Sequence, residues 1–183
     1  MDHTIQTWTL GIQKIKLPRW DDLPDIELYI DQALSYVNKE LQMVFLRNEN
    51  QKDDIVTASM INNYVKNKIM RSPTKKKYRR AHLAFIITIT ILKHVGSLND
   101  VSHGISHLTT ALGVSDAYNS FITYLENALR TASKELEGNP DPSYYLTQVS
   151  VDLLPLKTAT IAFVSVMLSN YLFSKNIKEA KGA

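Results

Sequence analysis

Apolar residues return every three to four positions between Ile26 and Leu46: Ile26, Tyr29, Ile30, Ala33, Leu34, Val37, Leu41, Val44 and Phe45. Such spacing lines one face of a 3.6-residue helix and predicts an amphipathic helix over 26–46. Before it, "PRWDDLPD" (18–25) holds two prolines and three aspartates and reads as an irregular lead-in, with a helix start signal at Asp25. After it, "RNENQKDD" (47–54) reads as a polar linker. A shorter period follows. Thr57 can cap a helix from about Ala58 to Asn67. Ala58, Ile61, Tyr64 and Val65 form its apolar side, and Ser59, Asn62, Asn63, Lys66 and Asn67 fall opposite. "MRSPTKKKY" (70–78) contains Pro73 and reads as a turn or a short hairpin.

Residues 80–95, "RAHLAFIITITILKHV", pull two ways. Their β-branched residues and partial alternation favour a strand, but the apolar run is long, nearly continuous and free of turn signals, which favours a buried helix. "SLNDVSHGISHLTTALG" (97–113) predicts a helix ending at Gly113. Ser115 or Asp116 can cap the next, whose apolar positions run from Ala117 to Leu136, with Gly138 closing it. "NPDP" (139–142) reads as a turn, and from Ser143 to about Lys178 the pattern is helical again, interrupted or kinked at Pro155. The chain therefore reads as all-α, with 69–78 as its one candidate β-hairpin.

Charge changes this picture. Between Asp54 and Asp100 there is no acidic residue but nine basic ones, leaving twelve basic against eighteen acidic residues elsewhere in a chain of net charge +3. A cationic segment on an otherwise acidic protein points to a polyanion as partner. Composition removes other chemistry. There is no cysteine, so disulfides, thiolate zinc sites and cysteine nucleophiles are excluded. G-x-S-x-G, P-loop and G-x-G-x-x-G patterns are missing, and no carboxylate pair has catalytic spacing; neither an enzyme nor a cofactor is expected. His103 and His107 stand four apart with Asp100 nearby, but no third ligand is identified and no metal is expected. The longest uncharged apolar stretch, 158–174, carries Ser, Thr and Asn and is short for a membrane span. The expectation is a core or interface helix in a cytoplasmic protein.

A short capped helix with one apolar and one polar face is what reading the major groove requires. Asn can bond adenine bidentately and Lys can bond guanine, so Ser59, Asn62, Asn63 and Lys66 are base-reading candidates. Lys68, Arg71, Lys75, Lys76, Lys77, Arg79 and Arg80 are candidates for phosphate contacts, with the hydroxyls of Tyr64 and Tyr78.

"TASMINNYVKNKI…KKKYRRAHLAFIITITILKHVGSLNDV" resembles the DNA-binding segment of MerR-type bacterial regulators. Met60–Val65 stand at the recognition helix, Lys75–Tyr78 at the basic wing, His82–Val95 at the following helix and Ser97–Val101 at the turn. Asn62-Asn63-Tyr64 replaces the usual Arg-Tyr-Tyr. The "LPRWDDLPDIELYIDQALSYV" entry (17–37) together with "SMINNYVK" (59–66) more closely resembles an uncharacterised bacterial family, the domain of unknown function numbered eighteen thirty-six, over roughly residues 17–105. The resemblance implies a MerR-like helix-turn-helix or winged-helix domain at 17–105 and a helical bundle at 106–183. It also implies a DNA-binding transcriptional regulator acting on double-stranded DNA. The C-terminal helices, with Phe163, Met167 and Tyr171, would form a homodimer; any effector is unspecified. Two rivals are a non-enzymatic helical interaction module whose basic patch meets an acidic protein, and a peripheral protein using Lys75–Arg80 on anionic lipid.

Overall fold

The computed structural model describes residues 9–45, 53–139 and 147–181, with side chains to residue 173. Six helices carry the fold: α1 (Ile30–Leu41), α2 (Ala58–Lys66), α3 (Arg80–Leu92), α4 (Leu98–Leu112), α5 (Val114–Leu136) and α6 (Leu154–Lys181). A short 3-10 turn at Trp20–Asp22 precedes them. Among the described residues no β-strand forms, so the protein is all-α.

The ambiguous segment 80–95 is a helix, α3, at the centre of the molecule. Nine of its thirteen residues are buried, and it packs against α1, α4, α5 and α6. Burial on nearly all sides explains why its sequence lacks a helical period: a helix surrounded by protein has no polar face to alternate with. Thr88 is tolerated because its buried hydroxyl turns back onto its own helix, Oγ1 donating to the Ala84 carbonyl at 2.9 Å, whereas the buried Thr90 hydroxyl has no partner among the described residues.

The long predicted helix starts later than its apolar period. Residues 26–29 are not helical, and Leu28 exchanges two backbone hydrogen bonds with Tyr78, at 2.9 and 2.8 Å. The helix begins at Ile30, with Gln32 Oε1 accepting from the Tyr29 amide at 2.9 Å. Ile26 and Tyr29 consequently point outward, at 67% and 56% exposure. Local periodicity proposed a helix here, and a pairing fifty residues away overrode it.

Gly113, at φ +82°, is the only residue between α4 and α5. A left-handed glycine ends α4, as expected. However, α5 starts directly at Val114, so Ser115 and Asp116 lie inside its first turn and do not cap it. Gly138, at φ +75°, closes α5. Pro155 does not kink a helix either. It is the second residue of α6, where its missing N–H would have had no intrahelical acceptor. The expected turn at 139–142 and the helical start at Ser143 fall largely outside the described residues, as does most of the linker 47–54, but residues 147–153 are described and are not helical, so the helix expected from Ser143 begins only at Leu154.

The acidic lead-in is bound to α5 across about a hundred residues. The Arg19 guanidinium donates to the Asn119 carbonyl (2.9 Å) and Thr123 Oγ1 (2.7 Å) and pairs with Glu126. The Trp20 amide donates to Asn119 Oδ1, and the Tyr118 hydroxyl donates to the Pro18 carbonyl. One buried apolar core runs from Ile12 to Val164. The expected division at 105/106 falls in the middle of α4, so the described residues share a core on both sides of it. In α6, Leu156, Thr160, Phe163 and Val164 are buried. By length and composition alone, Leu154–Phe173 would also suffice to cross a membrane.

Candidate nucleic-acid interface

Helix α2 has the predicted cap and the predicted faces. Thr57 Oγ1 accepts from the Met60 amide at 3.3 Å. Ile61 and Tyr64 are buried, whereas Ser59, Asn62, Asn63, Lys66 and Asn67 are exposed. What holds the helix in place is a residue the sequence did not flag. From α1, Asn38 clamps the backbone of Val56, accepting from its N–H and donating to its carbonyl, both at 2.9 Å. An asparagine amide matches a peptide group in this way, and the clamp fixes the chain just ahead of the Thr57 cap.

The other end of α2 is closed without glycine. Lys68 adopts φ +57°, the Lys68 amide donates to the Val65 carbonyl, and the Ile69 amide donates to the Tyr64 carbonyl. That is a Schellman closure with lysine in the left-handed position where glycine is preferred. Lys75 and Lys76 also have positive φ, at +50° and +59°, in a tight turn closed by the Lys77 amide on the Thr74 carbonyl at 2.9 Å. Two successive positive φ values mark a primed hairpin turn, which normally takes Asn-Gly. Its ladder ends after the Thr74–Lys77 and Leu28–Tyr78 bridges, so residues 69–78 form a turn and no strand. Among the described residues, every non-glycine residue with positive φ is a lysine of the cationic segment. Each such position costs about 1 kcal/mol relative to glycine.

The cations divide into two groups. Lys66, Lys68, Arg71, Lys75 and Lys76 are exposed and have no carboxylate partner among the described residues. The other three cationic candidates for phosphate contacts, Lys77, Arg79 and Arg80, are engaged. Arg79 pairs with Glu27 at 2.6 Å, and Arg80 lies 3.6 Å from Asp21 and 3.4 Å from Asp25. The Lys77 ammonium sits 3.3 Å from the centroid of the Tyr29 ring. Asp21, Asp25 and Glu27 all belong to the segment around "PRWDDLPD", so the lead-in neutralises one flank of the cationic segment. Tyr64 and Tyr78, at 3% and 4% exposure, are core residues whose burial pushes their phenols up from the usual value. Both were candidates for phosphate contacts, and burial removes them from that surface.

The two asparagines also separate. Asn63 Oδ1 accepts from Asn67 Nδ2 at 2.7 Å, whereas the Asn62 side chain has no hydrogen-bond partner among the described residues. A bidentate bond to adenine needs the carbonyl and the amino group together, so Asn62 is the better prepared of the pair. Elsewhere, His107 Nε2 lies 3.3 Å from Asp152 and His103 is exposed; among the described residues no metal-ligating cluster forms.

These features define an all-helical protein with a short capped helix and, among the described residues, five cations without a carboxylate partner displayed on and beside it. Residues 18–127, well over half the chain, match the model of a family described as a domain of unknown function, DUF1836. The chain belongs to that family. Comparisons with curated proteins and with solved structures found no match.

Proposed function

We propose that the protein is a sequence-specific DNA-binding transcriptional regulator that inserts α2 into the major groove, in the manner of a MerR-like helix-turn-helix protein. The observation that carries this reading is the division of α2. Ile61 and Tyr64 are buried in the core, while Ser59, Asn62, Asn63 and Lys66 are all presented outward with free cations around them. Asn62 and Lys66 read base edges. Lys68, Arg71, Lys75 and Lys76 neutralise phosphates, with the Lys75–Lys76 turn in the place of a wing. Arg79 can join them by exchanging its exposed pair with Glu27, which is worth at most about 1 kcal/mol. Arg80 is half-enclosed between Trp20 and two aspartates and serves the fold.

Symmetric pairing would align two such helices with two half-sites. Its proposed surface is α6, where Val166 and Phe173 are exposed at 44% and 65%. Phe163, one of the three residues first assigned to that surface, packs inside against Phe45 at 5.9 Å between ring centroids.

The test is fluorescence anisotropy of the full chain with random duplex DNA, titrated with salt. Each neutralised phosphate adds about −0.9 to the slope of log affinity against log salt. A slope equivalent to several phosphates, flattened by roughly two units in Lys75→Glu/Lys76→Glu, supports the reading. No binding at low salt overturns it and turns attention to an acidic protein partner.

A further inference from the structure

Helix α4 covers a cavity of about 840 Å³. It is walled by α3, α4 and the first turns of α5 and α6, and it reaches the Lys68–Arg71 segment just beyond α2. Pockets for small organic ligands run to about 300–1,000 Å³. Val101, Ile105 and Leu108 of α4 line the cavity together with Phe85, Phe121 and Leu156. Of the residues of α4, Leu108 alone is buried. An apolar occupant of this space would take apolar lining surface out of contact with water.

The charges around the cavity select the occupant's head group. Its two carboxylates are already engaged: Asp100 accepts from Ser97 Oγ at 2.6 Å, and Asp152 meets His107 at 3.3 Å. Lys68 and Arg71 also line it and have no carboxylate partner among the described residues. The charged lining groups left with unpartnered donors are therefore these two cations, which can offer N–H groups to an anionic head. One further contact connects it to α2. Ser102 Oγ of α4 donates to the Ile69 carbonyl at 2.9 Å, and the Ile69 amide closes the end of α2 on Tyr64.

We propose that the cavity binds a small amphiphile with an aliphatic body and one anionic head group, the class of a medium-chain carboxylate. Its occupancy is transmitted to α2 through the Ser102–Ile69 hydrogen bond. The binding half stands by itself; the consequence for DNA rests on the function proposed above.

Isothermal titration of the full chain with decanoate, decanol and decyltrimethylammonium, each below its micellar concentration, tests the binding half. The expected result is saturable one-to-one binding of decanoate, about tenfold weaker binding of decanol and none of the cation. Arg71→Glu, at an exposed position that folding does not need, should lower decanoate affinity about tenfold and leave decanol unchanged. Ala84→Leu, which puts a larger side chain on the cavity wall, should weaken both. Equal binding of all three amphiphiles, or binding of several molecules per chain, overturns the site. For the coupling half, saturating decanoate should change the affinity for duplex DNA at least threefold in the native protein and less in Ser102→Ala, with acetate at equal ionic strength as the control. Decanoate binding with unchanged DNA affinity overturns the coupling. Decanoate binding by a protein that binds no DNA keeps the site and removes the proposed function.

Discussion

Helices α4 and α5 are joined through one glycine, and both sequences are amphipathic, yet they sit in the protein very differently. Ten residues of α5 are buried, against Leu108 alone in α4. The apolar side of α5 is pressed between α4 and α6 and held at its polar edge by Arg19 and Trp20, whereas the apolar side of α4 is only partly buried and borders the cavity. A helical period states that a face will avoid water. It does not state whether that face meets side chains or a cavity.

The sharpest way to break this comparison is to truncate one residue from each helix. Leu125→Ala in α5 should cost about 2–5 kcal/mol, because a fully packed leucine leaves both lost transfer energy and a new void. Ile105→Ala in α4 should cost about 1 kcal/mol or less, because its surroundings are already partly empty. Chemical denaturation measures both, and equal losses would mean that α4 is packed as tightly as α5. Next in size is the clamp that positions α2. Asn38→Ala strands the N–H and carbonyl of Val56 and should cost about 1–3 kcal/mol. It should also weaken duplex binding on every sequence, since it displaces the whole helix; an effect confined to one site would contradict a positioning role.

Smaller, and opposite in sign, is the effect of relieving the lysine turn. Lys75→Asn/Lys76→Gly gives the turn the residues its backbone favours and should stabilise the protein by about 1 kcal/mol. The same change should lower DNA affinity and reduce the salt slope by about two phosphates. A gain in stability without that loss would remove the turn from the interface.

The last effect depends on pH. His82 is half-buried, and desolvation lowers its pKa from the usual 6.5, opposed by a backbone hydrogen bond at Ser72 and reinforced by the charge of neighbouring Arg79. As pH falls below about 6.5, the unfolded chain takes up this proton first, so stability present above that value is lost as pH drops toward the lower folded-state value. His82 Nδ1 accepts from the Arg79 amide at 3.1 Å, and protonation removes that acceptor from the start of α3. His82→Gln should flatten the fall in melting temperature between pH 7 and about pH 5.

What the sequence disclosed was local. The cap at Thr57, the two faces of α2 and the burial of 80–92 each follow from neighbours a few residues apart, so periodicity and capping rules reached them. What it hid was distant. Leu28 meets Tyr78, Asn38 meets Val56 across a linker, and Asp21 and Asp25 reach Arg80. None of these pairings leaves a period in the chain. Counting cations overstated the free ones for that reason: Lys77, Arg79 and Arg80 look equivalent to Lys75 and Lys76 until the lead-in is folded against them. The cavity was equally illegible, because Val101, Ile105 and Leu108 would be written the same way for a packed wall or an open one.

The contact between Arg19 and Glu126 has a consequence for the order in which the protein is made. The family match runs from residue 18 to 127, so this clasp joins the two ends of the matched unit. A chain emerging from the ribosome exposes Arg19 long before α5 exists. At ordinary synthesis rates the lead-in waits roughly 5–20 s for its partner. During that interval Asp21 and Asp25 can find Arg80, but Trp20 has no α5 to rest on. Closure is therefore a late event in synthesis, and a chain interrupted before residue 126 would carry every piece of α2 and its cations with the clasp still open.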